Sequence, residues 1–143
     1  MKVFQVGQRR FLLRLETGEE TLERLRSFAD EQKINAGVLR GLGALRSAEL
    51  AFYHLADKRY ETFPVEEETE VVGLVGNLSR GEEGQSVAHL HVILGRRGGS
   101  TLGGHAMRLV VSATLELDLE VFPGTLRRQL DPAVGLPLQH SYE

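Results

Sequence analysis

The 143 residues are 41% hydrophobic and carry a formal net charge of -3 at pH 7, the size of one domain that can bury a core unaided. That charge disfavours a nonspecific polyanion binder, which concentrates basic surface to displace phosphate counterions. The absence of cysteine removes disulfides, thiolate metal sites and cysteine nucleophiles together, so any metal must be held by nitrogen or oxygen.

Between Val3 and Leu15, Phe4, Val6, Phe11, Leu13 and Leu15 alternate around Gly7, which predicts one strand or two short ones, with Arg9, Arg10 and Arg14 as a solvated edge. Thr17 stands three residues before Glu20, the spacing of a capping box. Leu22, Leu25, Phe28 and Ala29 then recur at helical intervals, predicting a helix of about 15 residues that ends near Lys33. Ala36 to Leu45 reads as a short strand running into a Gly41/Gly43 turn; with no GxGxxG or Walker lysine, a nucleotide loop is not expected. Ser47 to His54 and Tyr60 to Phe63 make a hairpin, and the acidic run Glu66 to Glu68 reads as a solvated connector. Glu70 to Ser79 is apolar on both faces, as a central strand would be. In Leu109 to Phe122, the odd positions Val111 to Val121 face one way, and Ser112, Thr114, Glu116, Asp118 and Glu120 the other. From about residue 123, Pro132, Pro137, Gly124 and Gly135 predict an extended or irregular tail. No apolar run approaches the roughly 20 residues that cross a bilayer and the start lacks a cleavable signal pattern, so a cytoplasmic protein without a membrane partner is expected.

The stretch AHLHVILGRRGGSTLGGH, Ala88 to His105, holds three of the five histidines. On a strand His89 and His91 share one face, roughly 7 Å apart, while Leu90, Val92 and Leu94 share the other. Gly103-Gly104 lets the following segment bend or approach closely, so His105 can return over the pair. This outlines a three-histidine site open at its fourth position, and imidazole ligands favour zinc over magnesium or calcium. Half-buried strand histidines satisfied by backbone or water are the plainer reading of the same residues. His54 and His140 lack partners at ligand spacing and read as ordinary polar residues.

Taken in order, the helix TLERLRSFADEQKI, the segment VLRGLGALRSAELAFY, EVVGLVGNLS, and HLHVILG followed by LGGH resemble the PPC (plant and prokaryote conserved) domain across about residues 3 to 140. The resemblance implies a single domain over 1–143 of α+β class: a mostly antiparallel mixed β-sheet with one principal α-helix packed on it, commonly a homotrimer. In plants the family is fused to an AT-hook that enters the minor groove of A·T-rich DNA. No such motif stands here, and Arg96-Arg97-Gly98-Gly99 reads as a hairpin tip. The prokaryotic pattern of HxH and Gly-Gly-His implies His89, His91 and His105 as metal ligands, with zinc the expected cofactor.

The expected function is a trimeric, metal-bearing regulatory or assembly module. DNA association is implied only by the family and by the arginines at 9, 10, 14, 96 and 97. The alternative is a metal-dependent enzyme using the three-His zinc site, for which Glu116 is the one strand carboxylate nominated as a base. No catalytic residue or small-molecule ligand is identified from the sequence.

Overall fold

The computed structural model describes residues 1–143. Its elements run β1 (Lys2–Gly7), β2 (Arg10–Glu16), α1 (Thr21–Glu31), β3 (Gly37–His54), β4 (Arg59–Val65), β5 (Thr69–Arg80), β6 (Ser86–Gly95), β7 (Thr101–Val121), β8 (Leu126–Asp131) and β9 (Leu136–Tyr142). With 66% of the chain in nine strands and 8% in helix, the protein is mostly β. This corrects the expected α+β class: a mixed sheet dominates, and α1 is a short cover of 11 residues rather than a principal helix.

The physical reason lies in the glycines. Gly41 and Gly43 do not turn the chain but sit inside the 18-residue β3, where the register with β5 and β7 shifts. A Cβ at Gly43 would lie 2.7 Å from the Leu115 Cα, so glycine is what permits β3 and β7 to pack this closely. Likewise the expected return segment and the alternating strand form one 21-residue strand, β7. Its alternation breaks between Val111 and Leu115, where Ala113 is exposed and four positions of β7 span two of β3, a bulge.

The helix does not start at the expected capping box. Thr17 Oγ1 donates to the Ala113 carbonyl, and Glu20 is the cap: its carboxylate accepts from the backbone N–H of Leu22 and Glu23 at 3.2 and 2.8 Å. The same carboxylate accepts from the Leu109 N–H at 3.0 Å, tying the helix start to β7. At the other end Lys33 adopts a left-handed φ of 55°, and the Ile34 N–H reaches back to the Ala29 carbonyl at 2.8 Å, the 6→1 closure of a Schellman motif. Leu22, Leu25, Phe28 and Ala29 are buried, and Phe28 meets Phe11 of β2 edge-on at 5.5 Å.

β3 pairs with β5 on one side and β7 on the other, and β6 also pairs with both, so these four strands close into a ring. Leu45, Leu50, Leu74, Leu90, Leu94, Leu109 and Leu115 are fully buried there. All named pairings are antiparallel except β5 with β8, which makes the sheet mixed. The tail is not irregular: β8 and β9 form an antiparallel hairpin docked through β5. Elsewhere the sheet leaves apolar side chains exposed, Leu42 at 60% and Val75 at 62%, around a hollow that Phe4 and Leu12 also line.

Candidate metal centre

Alternation along β6 buries Leu90, Val92 and Leu94 and leaves His89 half-buried and His91 exposed on the opposite face. His91 stands directly across from His105 in the β6–β7 register. That register needs a glycine at 103, where a Cβ would lie 2.6 Å from the Val92 carbonyl oxygen. The three imidazoles meet with ring centroids 5.1 Å (His89 to His91), 5.0 Å (His89 to His105) and 5.4 Å (His91 to His105) apart. One nitrogen from each lies within 4.8 Å of the others. Tetrahedral zinc with bonds of about 2.0–2.1 Å sets its ligand nitrogens roughly 3.3 Å apart, within reach by small side-chain rotations.

Two features bear on whether these residues suit a metal ion. The Nδ1 of His105 is buried without a hydrogen-bond partner, a cost that a ligand at that nitrogen would remove. The Tyr60 ring from β4 stacks on His105 at 5.0 Å and fixes its plane. Burial, then the charge of Arg128, then His105 and His91, hold the His89 pKa down at about 4. Burial first, then His91 and Arg128, lower that of His105. Both are therefore neutral near pH 7, the form a metal requires. Three imidazoles fit zinc, copper or nickel.

Arg128 of β8 closes one side of the group. It is only 7% exposed, and its Nε donates to Ser79 Oγ at 2.9 Å while Nη1 donates to the Pro137 carbonyl at 2.9 Å. Its Nη2 donates to Asn77 Oδ1 at 2.8 Å and to His89 Nδ1 at 3.1 Å. A guanidinium can only donate, so this contact makes His89 Nδ1 the acceptor and Nε2 the N–H of the neutral ring. To ligate a metal, His89 must give up its bond to Arg128.

Of the other residues singled out in the sequence, His54 pairs with Glu61 at 2.6 Å and His140 is exposed on β9. Glu116 lines the hollow that holds Arg14 and Leu42, not the cavity beside His89 and His105. Arg10 is paired with Asp118, Arg14 with Glu16 and Arg96 with Glu67. The sequence did not single out Tyr60, Asn77 or Arg128. The one hint for Arg128 is its place between Leu126 and Leu130 on one strand face.

Over residues 4–123 the chain matches the model of the Plants and Prokaryotes Conserved (PCC) domain. Among solved structures it is similar to a "putative DNA binding protein" from Bacteroides thetaiotaomicron, with 27% identity, TM-score 0.91, and 99% of this chain and 96% of that one covered. It is similar to a plant- and prokaryote-conserved (PPC) protein from Pyrococcus horikoshii at 26% identity and TM-score 0.86, covering 99% and 95%. A metal-containing protein from Archaeoglobus fulgidus shares 33% identity at TM-score 0.86, covering 99% of this chain and 100% of that one. No curated protein matches the chain. With four-fifths of its length matched by the family model and relatives aligned end to end, the chain belongs to the Plants and Prokaryotes Conserved domain family.

Proposed function

We propose that the chain is a metal-bearing regulatory or assembly module, in which His89, His91 and His105 hold one divalent ion, zinc, with a fourth position open to water or a ligand. The observation that carries this reading is the convergence of three imidazoles from two paired strands, two of them kept neutral by their surroundings. The metal-containing relative from Archaeoglobus, 33% identical, supports it. When bound, zinc supplies a Lewis acid that polarises whatever occupies its open position. The chain itself positions the ligands: the β6–β7 register sets His91 against His105, Tyr60 holds the His105 ring, and Asn77 and Ser79 hold Arg128 beside His89.

The module reading is favoured over the enzyme because the cavity beside the histidines is lined by no carboxylate that could serve as a base. DNA association rests on the names of similar proteins, since three of the arginines that suggested it are engaged by carboxylates. Chelation tests the metal reading through stability, because an ion that binds only the native state raises it by mass action. EDTA treatment is expected to lower the melting temperature of the purified protein, and a stoichiometric return of zinc to restore it. A melting temperature indifferent to both would contradict the reading.

A further inference from the structure

Arg128 carries a charge in every accessible pH range, is almost wholly buried, and has no carboxylate among its partners. Burying an ion against neutral acceptors alone is costly, and structures normally compensate it with an opposite charge. Four of its N–H groups are engaged, all by neutral acceptors, while a guanidinium has five, so one Nη1 proton remains. Beside it opens a cavity of about 250 Å³ whose wall includes Val87, Ala88, Leu136 and Leu138. That volume lies below the range of roughly 300–1,000 Å³ typical of sites for drug-sized ligands, so the occupant is small. A positive end and an aliphatic wall together suit a short acid.

We infer that this cavity binds a short monocarboxylate of about four carbons, its carboxylate paired with Arg128 and its alkyl chain against Val87, Ala88, Leu136 and Leu138. The pairing with Arg128 stands on the chain alone. The coupling to the histidines rests on the metal reading: a carboxylate that takes both the free Nη1 proton and the Nη2 proton now given to His89 releases His89 Nδ1, so acid and zinc should each raise the other's affinity by the same factor.

Isothermal titration of the full chain with butyrate and with its neutral analogue butyramide, in zinc-loaded and EDTA-stripped protein, tests this. Butyrate is expected to bind at least about tenfold more tightly than butyramide, the scale of hydrogen bonds to a charged partner. Arg128→Met should bring the two within about twofold of each other. Because removing a buried arginine can disturb folding, Leu138→Trp provides a second variant. Leu138 is 37% exposed, and the indole should fill the cavity and weaken butyrate several-fold while leaving zinc uptake intact. Equal binding of butyrate and butyramide, or of butyrate to wild type and Leu138→Trp, overturns the pocket. If zinc is taken up and butyrate shows no preference, the pocket fails and the metal reading stands. If no zinc is taken up, the metal reading fails, and the butyrate-to-butyramide ratio in stripped protein still decides the pocket.

Discussion

His89 shows how position alone sets the chemistry of a side chain. Its place on the outer face of β6 was legible from the HxH alternation; its neighbour Arg128 was not, because that contact depends on how the β8–β9 hairpin docks 39 residues later in the chain. The neighbour changes the acid response of the metal-free protein. An unfolded imidazole titrates near 6.5, whereas His89 in the fold is held down at about 4, with His105 lowered in the same direction. Between those values the unfolded chain binds more protons than the native one. Stability contributed by the neutral ring is therefore complete above about 6.5 and is lost as pH falls through about 4. In EDTA-stripped protein the melting temperature should fall between pH 7 and pH 4.5 more steeply for wild type than for His89→Gln. Parallel curves would show that His89 is not held neutral.

Among the elements, the helix and most strands follow from periodicity: α1 buries the expected Leu22, Leu25, Phe28 and Ala29, and the β3–β4 hairpin pairs Tyr53 with Tyr60. The structure departs from expectation at Gly41 and Gly43, which continue β3 instead of turning it. A glycine that bends the chain and one that admits a neighbouring backbone look alike in sequence, because the difference resides in the strand opposite. Gly43 is of the second kind, with the Leu115 Cα and the Thr114 carbonyl pressed against it. Gly43→Val forces a backbone rather than a flexible side chain to move, so a loss of about 3 kcal/mol is expected, lowering the melting temperature by roughly 10 °C. Gly73→Ala, where an added Cβ meets nothing within 4 Å, should change it by no more than a degree or two. A calorimetric scan in which the two variants melt together would refute this account of β3.

For the whole molecule, folding leaves apolar surface exposed on the sheet. An 11-residue helix is only about 16 Å long, and it leaves Leu12, Val38, Leu42 and Val75 exposed on the sheet. An exposed apolar patch of this kind favours self-association, and the homotrimer that the family resemblance implies would cover it. Light scattering on the purified protein at micromolar concentration is expected to give about three times the 15.9 kDa of the chain, with Leu42→Glu shifting it toward monomer. A stable monomer of wild type would contradict the trimer without bearing on the histidines, which belong to one chain.

The central claim is that three imidazoles on β6 and β7 hold one metal ion. Elemental analysis after zinc loading and desalting tests it most directly. Wild type is expected to retain about one zinc per chain, and the His89→Ala, His91→Ala double variant, folded by circular dichroism, to retain essentially none. Equal zinc in the two proteins would contradict the claim.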